Sequence, residues 1–88
     1  MDTPLVKILV VDDDPALRQL LADYLNRHGY DTLLAADGSD LVQRIQRYAP
    51  DLVVLDRMMP DGDGAEACRR LRQQGEDIPV MMLTGRDE

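Results

Sequence analysis

Three apolar runs of four residues, each ending on an oxygen-bearing side chain, constrain this chain more than any other feature. Ile8-Leu9-Val10-Val11 leads into Asp12-Asp13, Leu52-Val53-Val54-Leu55 into Asp56, and Val80-Met81-Met82-Leu83 into Thr84. Such runs are short for a helix and lack polar alternation. They fit strands buried on both faces, as in a parallel sheet covered by helices. If the three are parallel neighbours, their ends bring several carboxylates together, and these repel one another unless a proton or a cation intervenes. A hard divalent cation held by oxygen is the natural partner.

Helical periods fill the spaces between the runs. A strand over Val6 to Val11 is followed by Asp14-Pro15, a helix N-cap with proline at the first helical position. Leu17, Leu20, Leu21, Tyr24 and Leu25 recur at helical spacing, and Gly29 closes the segment, with Arg27 and His28 at the negative end of the helix dipole. A second strand, Thr32 to Ala36, leads through Asp37-Gly38 to a Ser39 cap. Leu41, Val42, Ile45 and Ala49 form the buried stripe of a second helix, which Pro50 stops. The third strand is Leu52 to Leu55. Pro60-Asp61-Gly62-Asp63-Gly64 reads as a loop by composition. A third helix, Ala65 to Gln74, turns Ala67, Cys68 and Leu71 inward and Arg69, Arg70 and Arg72 outward. Gly75 ends it, and Ile78 to Leu83 is the fourth strand.

The order β-α-β-α-β-α-β with short connections predicts an α/β fold, a doubly wound parallel sheet with right-handed crossovers. In the flavodoxin-like order 2-1-3-4, the first and third strands adjoin at the switch point, where ligands bind outside the carboxyl ends. Neighbouring strands lie about 4.8 Å apart, so carboxylates from the two ends can share one cation. Mg²⁺ takes oxygen ligands at about 2.1 Å and keeps several waters, so two or three protein oxygens suffice. A carboxylate beside it can act as a nucleophile and form an acyl phosphate. Aspartates after strands also serve as caps and turn formers, and Asp14 is read as the cap. Asp56 is followed by Arg57-Met58-Met59 instead of a helix start, so capping does not account for it.

The remaining composition narrows the function. Eighty-eight residues make one domain. With three Tyr, no Phe and no Trp, the core must be aliphatic. Seventeen acidic against ten basic residues, a net charge of −7, argue against this segment gripping nucleic acid by its phosphates. Cys68 is the only cysteine, so no intrachain disulfide forms. Neither a secretory leader nor a membrane span is visible, and a soluble cytoplasmic protein is expected.

The chain resembles the receiver domain of bacterial two-component response regulators over essentially its whole length. Ile8-Leu9-Val10-Val11-Asp12-Asp13-Asp14 is similar to the first strand with its acidic pair, and Val54 to Gly64 to the phosphoacceptor strand and loop. Met82-Leu83-Thr84-Gly85 is similar to the switch strand. The resemblance implies that Asp56 is phosphorylated by a sensor histidine kinase. It also implies that Asp12, Asp13, Asp56 and the backbone carbonyl of Met58 hold Mg²⁺. Thr84 would contact the phosphoryl group, with Gly85 leaving the approach open. The first helix and Arg57-Met58-Met59-Pro60 look most like receivers joined to winged-helix DNA-binding domains, so DNA contact would come from an output domain outside this chain.

Against the family pattern, 1–88 reads as the N-terminal portion of a single receiver, lacking the fifth strand with its phosphoryl-contacting lysine and the last two helices. Lys7, the only lysine, lies five residues before Asp12, roughly 16 Å away along the strand. The fourth strand becomes an apolar edge, and such edges recruit another chain. The 88-residue chain is therefore expected either to self-associate through Ile78 to Thr84 or to be stabilised by a complementary segment. Two other readings stand beside the phosphoacceptor switch, which is not an enzyme: a phosphorylation-independent interaction module, and a haloacid-dehalogenase-type phosphohydrolase. The phosphohydrolase family needs a second aspartate two residues after the nucleophile, where this chain has Met58.

Overall fold

The computed structural model describes residues 5–38, 41–56, 58–59 and 62–83. In chain order they form β1 (Lys7–Val11), α1 (Pro15–Arg27), β2 (Asp31–Ala35), α2 (Leu41–Tyr48), β3 (Leu52–Asp56), β4 (Met58–Met59), β5 (Gly62–Asp63), α3 (Gly64–Gln73) and β6 (Val80–Leu83). β1, β2, β3 and β6 build one parallel sheet in the order β2-β1-β3-β6. This is the expected doubly wound order, with β6 as the fourth long strand.

The unbroken apolar character of β1 and β3 follows from burial on both faces. Leu9, Val11, Val53 and Leu55 pack on one side against Leu41 and Ile45 of α2 and Ala67 and Leu71 of α3. Ile8, Val10 and Val54 face the other side, toward Leu21 and Leu25 of α1. Alternate residues serve opposite layers, so neither side of these strands tolerates a polar residue.

Both capping expectations for α1 are met. Asp14 has extended backbone angles, and its side chain accepts from the N–H groups of Ala16 and Leu17, with Pro15 opening the helix. At the other end the Gly29 N–H donates to the Asn26 carbonyl and the Tyr30 N–H to the Leu25 carbonyl, the paired bonds of a Schellman motif, with Gly29 at φ +90°. The end of α3 repeats it: Gly75 donates to Arg72, Glu76 donates to Leu71, and Gly75 has φ +83°.

Several local expectations are corrected. The periodic stripe of α1 is only partly buried. Leu21 and Leu25 pack on the sheet, whereas Leu20 and Tyr24 are 62% and 55% exposed and Leu17 also faces solvent. One helix lying on this face buries an arc narrower than its apolar stripe. Ala49 is not part of the buried stripe of α2. It lies past the helix, exposed, with φ +51°, because the following proline disfavours the right-handed helical conformation there. Met58–Met59 and Gly62–Asp63, inside and beside the expected loop, pair as a short antiparallel ladder. The observed ends of β1, β2, β3, α3 and β6 differ from expectation by one or two residues. The Ser39 cap lies outside the described residues, as do Pro60 and Asp61.

The non-glycine residue in a left-handed conformation yields a test. Ala49→Gly removes a backbone penalty of about 1 kcal/mol, reduced by the extra freedom of glycine in the unfolded chain. The variant should therefore gain about 0.5 kcal/mol in urea unfolding. Gly29→Ala should lose about 1 kcal/mol, although its new Cβ would meet nothing within 4 Å.

Candidate metal centre

The pairing of β1 with β3 sets the site. Val10 is registered with Val54 and Val11 with Leu55, so Asp12 and Asp56 come next at the same end of the sheet. Carboxylate oxygens of Asp12, Asp13 and Asp56 lie within 4.8 Å of one another. Burial is graded across the three: Asp12 is 1% exposed, Asp56 half-buried and Asp13 open to solvent. The cluster is thus a shallow acidic well with one wet side.

Asp12 is held by its backbone and by one of its carboxylate oxygens. Its N–H donates to the Ala35 carbonyl at 3.1 Å, tying the end of β1 to the end of β2. Oδ1 accepts the Asp14 N–H at 2.9 Å, and the Asp12 carbonyl accepts from Arg18 Nη1 at 2.7 Å. Oδ2 is buried with no hydrogen-bond partner among the described residues. A buried, unpartnered carboxylate oxygen is costly, and repulsion between ionised neighbours at such distances adds about 3 to 4 kcal/mol per pair at an effective dielectric of about 20. Solvent around Asp13 lowers that figure. An all-oxygen donor set carrying this charge fits a hard divalent cation, which would supply the missing partner of Oδ2.

The other expected site residues are placed less completely. Met58, expected to offer its backbone carbonyl, opens β4 opposite Asp63. Leu83 is registered with Asp56, and Thr84 and Gly85 lie outside the described residues. Lys7 stands at the far end of β1, where its Nζ donates to the Tyr48 carbonyl at 2.9 Å and its N–H to Asp51 Oδ2 at 2.9 Å. A cleft of about 400 Å³ between α2 and α3, lined by Leu41, Val42, Gln46 and Arg70 among others, contains none of the three aspartates. Sequence reasoning missed Arg18. Its signal was an arginine six positions after a strand-ending aspartate, in the first turn of the following helix.

Comparison with known proteins decides the family: residues 8–88 match the response regulator receiver domain. The chain belongs to the response regulator receiver family. It is 51% identical over 82 residues to the response regulator MprA of Mycobacterium sp. (strain KMS), covering 93% of this chain and 36% of that protein. It is 48% identical over 82 residues to the alkaline phosphatase synthesis transcriptional regulatory protein PhoP of Bacillus subtilis (strain 168), covering 93% and 34%. The receiver thus spans about a third of the length of these relatives. Among solved structures, the BeF₃-activated N-terminal receiver domain of Klebsiella pneumoniae RstA is 41% identical with a TM-score of 0.84, covering 93% of this chain and 69% of that one. Response regulator TrrA of Thermotoga maritima, solved in complex with Mg²⁺-BeF, is 34% identical with a TM-score of 0.86, covering 94% and 72%. Among the described residues, no helix of this receiver is long and apolar enough to cross a membrane.

The electrostatic tension of the cluster should be visible in stability. Asp12→Asn removes one buried charge and offers an amide donor to the neighbouring carboxylates. In a chelator it should unfold about 1 to 2 kcal/mol harder than the parent in urea titrations, and saturating Mg²⁺ should shrink or reverse that advantage.

Proposed function

We propose that this receiver is a phosphoacceptor switch, a signalling module and not an enzyme, in which Asp56 takes a phosphoryl group from a sensor histidine kinase with Mg²⁺ held beside it. The observation that carries the reading is the convergence of Asp12, Asp13 and Asp56 at the ends of β1 and β3, with a buried Asp12 oxygen left unpartnered. Asp12, Asp13 and Asp56 would hold the ion, with the Met58 carbonyl as a further ligand. The ion would neutralise charge on the incoming phosphoryl oxygens. The Asp56 carboxylate oxygen forms the new O–P bond as the donor's P–N bond breaks, and the donor imidazole leaves with the bonding electron pair. Thr84 is assigned the contact that reports the phosphoryl group to the end of β6.

The similarity to MprA and PhoP supports a longer response regulator of the winged-helix class that controls transcription. In that protein the present acidic chain carries the signal, and a separate output domain contacts DNA. The family match weighs against the phosphohydrolase reading, as does methionine at position 58. The phosphorylation-independent module is the rival that chemistry must separate. Incubation with acetyl phosphate and Mg²⁺ should add one phosphoryl group to the intact mass, abolished in Asp56→Asn and in excess chelator. Absence of any adduct on a chain carried through the family's fifth strand would favour the rival.

β6 also bears on partners. It lies at one end of the sheet order and pairs only with β3 among the described residues, and its Met81 is 54% exposed. Such an edge can add a strand from a second copy. Sedimentation equilibrium of the 88-residue chain should show concentration-dependent dimers that Met81→Lys weakens, and a stable monomer at high concentration would count against pairing here.

A further inference from the structure

We propose that Arg18 is a positioning residue of the acidic cluster, fixing the Asp12–Asp13 peptide and through it the direction of the Asp13 carboxylate. The metal half of this inference rests on the Mg²⁺ reading above. Asp13 is exposed, and its carboxylate has no hydrogen bond among the described residues. The direction in which its Cα–Cβ bond leaves the chain is set by the two peptides that flank it. The one before it is gripped at the Asp12 carbonyl by Arg18 Nη1 at 2.7 Å, and the one after it at the Asp14 N–H by Asp12 Oδ1 at 2.9 Å. Both bonds are short and both are charge-assisted.

The carbonyl of Asp12 lies one residue past β1, so it needs a partner from elsewhere. Arg18 is suited to this because its own backbone is fixed. Its N–H donates to the Asp14 carbonyl at 2.9 Å, which anchors it in the first turn of α1. Arg18 is half-buried against the end of β1. The link runs in both directions: the first turn of α1 holds Asp13 in place, and a cation drawing Asp12 and Asp13 together stiffens that turn.

Charge and geometry make opposite demands here. A guanidinium beside a cation site opposes the cation, so if Arg18 mattered only as a charge, its removal would tighten Mg²⁺ binding. If it positions Asp13, removal loosens binding, and loss of a group that orients a ligand costs about tenfold or more in metal affinity. The sign of the change separates the two.

The test titrates MgCl₂ into the parent chain, Arg18→Met, Arg18→Gln, Arg18→Lys and Arg27→Met, followed by amide shifts in the β1–α1 connection, with circular dichroism confirming the fold. Arg18→Met should raise the apparent Kd about tenfold. Arg18→Gln should do the same while keeping a polar group in the half-buried position, so it serves if the methionine variant does not fold. Arg18→Lys should recover much of the loss, and Arg27→Met, at the far end of α1, should change nothing. In the metal-free protein, the backbone order parameter of Asp13 should fall from a rigid value near about 0.85 to below about 0.6 in the methionine and glutamine variants, with Val10 unaffected. Unchanged or tighter Mg²⁺ binding in a folded neutral variant overturns the proposal, as does an unchanged order parameter at Asp13. A parent chain that binds no Mg²⁺ would refute the metal reading alone, because the order parameter still decides whether Arg18 holds the peptide.

Discussion

Everything chemical in this receiver depends on the parallel pairing of β1 with β3. The pairs Ile8–Leu52 through Val11–Leu55 put Asp12 and Asp56 level with each other at the end of the sheet. A slip of β1 by one residue would turn Ile8 and Val10 toward α2 and α3, and Leu9 and Val11 toward α1. The core on both faces therefore enforces the register, and the register enforces the proximity of the carboxylates. Hydrophobic packing across the sheet holds together charges that would otherwise separate.

That arrangement stores electrostatic tension at one rim of the molecule. Asp12 is the one buried charged residue among the described core positions. Short connections limit the cost. The Asp12 N–H reaches back to Ala35, its Oδ1 takes the Asp14 N–H, and Asp14 turns its own carboxylate to the N-terminus of α1. Of the three consecutive aspartates, one is buried in the cluster, one is its solvent-facing member, and one caps a helix. Identical side chains acquire different roles from their positions relative to a strand end and a helix start.

Much of this was legible in the sequence because it rests on short-range rules. Apolar runs buried on both faces, Asp14-Pro15 at a helix start, Gly29 and Gly75 at helix ends, and the convergence of strand-ending aspartates all follow from period and capping chemistry. The three-carboxylate cluster was readable because doubly wound topology leaves few arrangements for three parallel strands. The misses depended on context beyond a single turn. Leu20 and Tyr24 fit the helical period of α1 but lie beyond the arc that one helix can bury against the sheet. Ala49 continued the apolar spacing of α2, yet Pro50 forces the chain out of the helix. The pairing of Met58–Met59 with Gly62–Asp63 carries no period because each strand is two residues long.

Arg18 shows why the rim of a sheet is where function and hidden structure meet. Inside the ladder each backbone group has a partner supplied by register, so side chains are free to pack and little is left to chance. One residue past the ladder, the carbonyl of Asp12 has lost that supply and takes a side chain from the next helix. The same loss of regularity lets Asp12 and Asp13 direct oxygens toward a shared point instead of into alternate faces of the sheet. A strand end thus frees carboxylates for chemistry only if something else restrains the backbone beneath them. In this chain the restraint comes from the first turn of α1, which ties the geometry of the acidic well to the placement of a helix on the opposite layer from α2 and α3.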